Sequence, residues 1–152
     1  MTEPNMQPPS SGMTSNLPWP DVLACERAVL RFTAAFDAND LDGMLAEFAS
    51  DGIWERQDGV VRGHGGLRTL MAARPQDLLV RHIVTNLRVA PAGPEAATCI
   101  SYVTVYRHDH GGSKPAPLGP PSLVGIYHDA LRKAGQTWLL SGRSVSVDLK
   151  QA

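Results

Sequence analysis

In LLVRHIVTNLRV, residues 78–89, an imidazole heads one face of a segment rich in branched apolar side chains and bounded by Pro91 and Gly93. Strand alternation gathers His82, Val84, Asn86 and Arg88 on that face. Imidazoles titrate near neutrality, so His82 is a candidate general base. The plainer alternative is a histidine at the core edge, bonded to backbone. Asp37 falls in the last turn of an expected helix, where the macrodipole opposes an acid. Its neighbours one turn back, Thr33 and Ala34, are uncharged. A cation or imidazole is needed to hold such a carboxylate, unless Asp37 caps the following turn in competition with Asn39 and Asp40. Arg143, in TWLLSGRSVSV, alternates with Thr137, Leu139, Ser141, Val145 and Val147. A guanidinium on a partly apolar face requires an anion, supplied by a pocket or by a surface ion pair.

Other features carry less. HDH at 108–110 precedes a Gly-rich turn and has no third ligand at fixed spacing, so a solvated hairpin end is expected, not a metal site. GHGG at 63–66 lacks the Lys-Ser/Thr of a phosphate loop. Tyr102 and Tyr106 share one alternation and are either pocket walls or part of an ordinary amphipathic strand. Cys25 and Cys99 have no metal-type spacing and read as buried, reduced thiols.

The elements that must position these groups follow from periodicity. Residues 1–18 have little to bury and read as a flexible tail; residues 19–152 form a single domain. Pro20 and Asp21 open a helix carrying Val22, Ala28, Val29, Phe32 and Phe36 to about Ala38. A shorter helix follows with Leu41, Met44, Leu45 and Phe48, capped by Asn39 or Asp40. IWER and VVRG flank an Asp-Gly turn, which predicts a hairpin, and HGGLRTLMAAR predicts a third helix stopped by Pro75. Long strands are expected over 80–90, 96–108, 121–133 and 136–147. Helices first and antiparallel strands last give an α+β arrangement, with the helices on one face of a curved sheet that leaves a cavity at its open end.

A net charge of −1 in 152 residues gives no electrostatic case for nucleic acid, and no apolar run reaches membrane-spanning length. The N-terminus lacks a secretion signal's basic and apolar regions, so a cytoplasmic location is expected. Apolar residues on both alternations of the last strands, such as Leu123 with Val124, call for a homo-oligomer.

AAFDANDLDGMLAEFASDGIW and RHIVTNLRV carry a resemblance that covers about residues 20–148. They resemble segments of the nuclear transport factor 2-like superfamily, in its SnoaL-like branch, as in scytalone dehydratase and hexachlorocyclohexane dehydrochlorinase. That resemblance implies a cone-shaped α+β barrel, its N-terminal helices packed on a strongly curved, mainly antiparallel sheet that encloses a pocket, and a proton-abstracting dyad formed by Asp37 and His82. It further implies that Arg143 enters the pocket, and that the oligomer is a dimer or trimer. Phe36 stands where scytalone dehydratase has a Tyr, and its paired phenol is also missing, at Glu55 or Arg56. Phe36, Trp54, Val84, Asn86, Tyr102, Tyr106 and Tyr127 are then the expected substrate-binding positions. The expected function is a cofactor-independent lyase of the dehydratase type, or an isomerase, acting on a small, mostly apolar cyclic substrate without a metal. The alternative is a non-catalytic small-molecule-binding module or a subunit of a larger complex.

Overall fold

A computed structural model describes residues 16–109 and 114–152; residues 1–15 of the expected tail, and His110, lie outside them. The first helix, α1 (Trp19–Asp37), enters through Pro18 and has Pro20 in its first turn, where a missing N–H costs nothing. Asp21 ties that turn to the far end of the sheet by accepting from Trp138 Nε1 (2.8 Å) and Lys133 Nζ (3.1 Å). Cys25, Ala28, Val29 and Phe32 form its buried stripe. Asn39 ends the helix in the left-handed region (φ 59°), as short polar residues tolerate. Asp40, not Asn39, caps α2 (Leu41–Glu47) by accepting the Gly43 N–H at 2.9 Å.

The expected hairpin is found as β1 (Phe48–Arg56) and β2 (Gly59–Arg62). Next comes α3 (Gly63–Ala72), then β3 (Leu79–Gly93), β4 (Ala96–His108), β5 (Leu123–Ala134) and β6 (Thr137–Lys150). At Gly63 (φ 59°) a Cβ would lie 2.4 Å from the Ser50 carbonyl oxygen, so only glycine fits where the chain turns into α3. His64 Nε2 donates to the Phe48 carbonyl at 2.7 Å, which ties the start of α3 to β1.

The strands form one mixed sheet in the order β2-β1-β6-β5-β4-β3. All neighbours are antiparallel except β1 with β6, which run parallel. The sheet is open, not a closed barrel, and α1 packs against β3 and β6. Phe32 lies at the centre of the core, stacked on Phe48 at 5.3 Å and edge-on to Trp54 at 5.4 Å. Cys25 and Cys99 are free, buried thiols; burial pushes Cys25 up to about 12 and Cys99 up to about 11.

Two register shifts govern which side chains face the helices. In β3 the pairing slips between Thr85 and Arg88, and Asn86 adopts φ 55°. Val80, His82 and Val84 point inward before this bulge, but Leu87 and Val89 do so after it. Asn86 is exposed at the slip and shares no face with His82, which corrects the uninterrupted alternation expected from sequence. In β6 a second shift, opposite Ala130 and Leu131, turns the inward set from Trp138 and Leu140 to Arg143. In β4 the inward residues are Ala97, Cys99, Ser101 and Val103.

Candidate active site

Asp37 sits in the last turn of α1, and His82 near the start of β3. The Asp37 carboxylate holds His82 through both oxygens. Oδ1 lies 2.6 Å from ring Nδ1, and Oδ2 accepts the His82 backbone N–H at 2.8 Å. Both side chains are only 11% exposed. An ionised carboxylate is acceptor-only, so its partner Nδ1 carries the proton and Nε2 is left unprotonated in the neutral ring. The question of how an acid is tolerated at a helix C-terminus also has its answer here. Arg74 donates to the Phe36 carbonyl at 2.7 Å and to the Asp37 carbonyl at 3.4 Å, satisfying the helix end with a cation. Its guanidinium lies 4.7 Å over the Phe36 ring. Burial draws Arg74 below its ordinary value, while Asp37 opposes that shift.

Phe36 meets the His82 ring edge-on at 5.7 Å and Trp54 at 5.6 Å, which fixes the imidazole plane from one side. His82 also lines a cavity of about 300 Å³, whose apolar walls are Trp54, Val105, Leu123, Tyr127 and Val145. Tyr127 is buried, and burial raises its phenol above the ordinary value, so it remains an O–H donor at neutral pH. At the mouth stand Arg56, Arg107 and Lys150, with Asp58 and Ser122. The cavity is therefore apolar within and cationic at its rim, less uniformly apolar than the sequence predicts.

Of the expected substrate-binding positions, Trp54 and Tyr127 line this cavity and Phe36 supports the imidazole. Val84 is half-buried against the core instead. Tyr102 points to the outer face, 45% exposed, because β4 buries its odd-numbered residues. Tyr106 has the same alternation and lines a separate groove of about 390 Å³ beside Pro115, Pro117 and Leu118.

Arg143 is not in the cavity. The β5–β6 register sets it opposite Asp129, to which it donates from Nε to Oδ1 (2.7 Å) and from Nη2 to Oδ2 (2.9 Å). Nη1 donates to Thr33 Oγ1 at 3.0 Å, and the guanidinium lies 4.1 Å over the Tyr127 ring. The expected pocket cation is thus buried and paired with Asp129 against the ring of Tyr127, which lines the cavity. Sequence reasoning overlooked Asp129 because its pairing depends on register, and overlooked Arg74 because it lies beyond α3 in a turn. Among the described residues no group of three or more His, Cys, Asp or Glu converges as a metal site requires. Nor is any helix there long and apolar enough to cross a membrane.

Three helices on an open, curved sheet, with a His–Asp pair at a cavity, define the nuclear transport factor 2-like, cystatin-like class of α+β fold. Within it the chain belongs to the SnoaL-like domain family, whose model matches residues 19–144. No curated protein matches the sequence. Among solved structures, a protein of unknown function with a cystatin-like fold from Nostoc punctiforme is 28% identical, covering 87% of this chain and 94% of its own, with a TM-score of 0.73. Rv3472 of Mycobacterium tuberculosis, also of unknown function, is 24% identical over 86% of this chain and 78% of its own (TM-score 0.72). A candidate scytalone dehydratase from Novosphingobium aromaticivorans is 19% identical over 87% of each chain (TM-score 0.70). The last two likenesses concern the fold alone.

Proposed function

We propose that this protein is a cofactor-independent lyase of the dehydratase type, or a double-bond isomerase, using His82 as base and Asp37 as its orienting partner. The observation that carries this reading is the double grip of Asp37 on His82, which directs an unprotonated Nε2 away from the carboxylate beside a cavity. Nε2 takes a proton from carbon next to a carbonyl, and the C–H electron pair moves to the carbonyl oxygen as an enolate. The phenol of Tyr127 donates to that oxygen. Asp37 stabilises the imidazolium that forms. In elimination, His82 returns the proton to a departing β-hydroxyl, which leaves as water when the enolate collapses. In isomerisation, it returns the proton to another carbon. The walls Trp54, Leu123 and Val145 suit a small cyclic substrate.

Proton abstraction is detectable without knowing the product. The protein should accelerate exchange of the acidic α-hydrogens of 2-tetralone in D₂O, followed by proton NMR, and His82→Gln should return the rate to the buffer background. Equal exchange by both proteins would refute the base assignment.

We also propose a homo-oligomer, a dimer or trimer. Ile53, Ile83 and Tyr102 are exposed large side chains on the outer face of the sheet, which the helices do not cover. Light scattering should give a multiple of the 16.4 kDa chain mass; a monomer at micromolar concentration would overturn this.

A further inference from the structure

We infer that the molecule turned over in the His82 cavity is an organic anion, an aromatic or alicyclic carboxylate whose oxyanion is held at the mouth by Arg107 and Lys150. The inference rests on the proposed reading of the site and names its substrate class.

The strand register fixes the layout. His82 stands opposite Val105, Val105 opposite Leu123, and Leu123 opposite Lys150, so one row across four strands joins the imidazole to the lysine. Arg107, opposite Val80, is one two-residue repeat from Val105 on the same alternation, about 7 Å along the strand. Both cations line the cavity that His82 lines. A ligand whose ring rests on Trp54 and Leu123 beside Nε2 has its far end among them.

Their remaining donors are open to such a ligand. Arg107 commits Nε to Asp109 at 2.5 Å, yet its two terminal nitrogens have no hydrogen bond among the described residues. Lys150 has no ion pair among those residues. Asp58, the carboxylate lining the same cavity, is taken up by Arg56, which donates to it at 2.9 Å and 3.3 Å. Arg56 in turn lies 4.8 Å over the Trp54 ring, closing one side of the mouth. The rim therefore carries two ion pairs, Arg56–Asp58 and Arg107–Asp109, the second with both terminal guanidinium nitrogens unused, and one cation, Lys150, without a pair among the described residues. A planar carboxylate matches the fork that Arg107 presents.

Isothermal titration calorimetry at low salt with 2-naphthoate and its neutral isostere 2-naphthamide tests this. The wild-type protein should prefer the carboxylate by roughly tenfold or more, as for charge-assisted contacts. That ratio should fall toward one in the Arg107→Gln/Lys150→Gln double variant, with the fold checked by circular dichroism. Three outcomes overturn the inference: a wild-type ratio near one, a preference that survives the double substitution, or no measurable binding by either compound. His82→Gln should keep the preference, because the anion contacts do not involve the imidazole. Failure of the base assignment, read from deuterium exchange, is thus distinguishable from failure of the anion site.

Discussion

Arg143→Met should destabilise the fold by about 3–5 kcal/mol, the loss typical of breaking a buried ion pair from one side. Met fills much of the space but leaves Asp129, itself buried and closed off by the sheet, without its two guanidinium donors. Thr33 Oγ1 also loses a donor, although its own bond to the Val29 carbonyl at 2.9 Å persists. Burial acts to lower the Arg143 guanidinium, but Asp129 overrides it and the net direction is upward, so the guanidinium remains charged. Urea denaturation of the single variant should show the loss as a lowered midpoint with an unchanged slope. Adding Asp129→Leu to Arg143→Met should restore most of the stability, since an apolar pair of similar volume replaces a desolvated one. A loss under about 1 kcal/mol, the worth of an exposed pair, would mean that Asp129 reaches water. Arg143, expected in the pocket from the family resemblance, is thus a residue of the core by its pairing with Asp129.

The contrast shows what a one-dimensional pattern contains. The stripe of Cys25, Ala28, Val29 and Phe32, the Asp40 cap and the Asp-Gly hairpin are local, so spacing alone reports them. The long strands were equally legible, to within a few residues. Asp37 and His82 are 45 residues apart, and no periodicity joins them; only likeness to a family put them together, at the 2.6 Å separation the structure shows. Failures cluster where register intervenes. One extra residue in β3 turns Asn86 outward, and one in β6 sets Arg143 on the inner face opposite Asp129. Bulges reverse faces without altering composition, which is why alternation misplaced these two side chains. Tyr102 and Tyr106 failed differently: their shared face was read correctly, but which face turned inward was decided by Cys99 and Val103. The cationic rim joins residues from β1, β4 and β6, and had no signal within any one segment.

Asp37→Asn should cost about 10³–10⁴ in turnover while leaving the site nearly superimposable, the effect seen elsewhere when an orienting carboxylate becomes an amide. The mechanism lies in the donor count. Asp37 offers two acceptor oxygens, one for the His82 backbone N–H and one for Nδ1–H. An asparagine offers one oxygen and an NH₂ group. The backbone N–H is fixed by the β3 strand and retains the oxygen, so the NH₂ faces Nδ1, which must then accept. The ring proton moves to Nε2, and the nitrogen beside the cavity changes from a base to a donor. Nitrogen-15 correlation spectra of the imidazole should record this exchange of tautomers directly, in the absence of any substrate. Because the loss falls on proton transfer and not on the cavity walls, kcat for exchange from 2-tetralone should drop while KM stays within a few-fold. A purely structural carboxylate would behave otherwise. Its replacement would lower stability through the end of α1 and Arg74, with the tautomer and exchange rate unmoved, and that pattern would remove Asp37 from the mechanism.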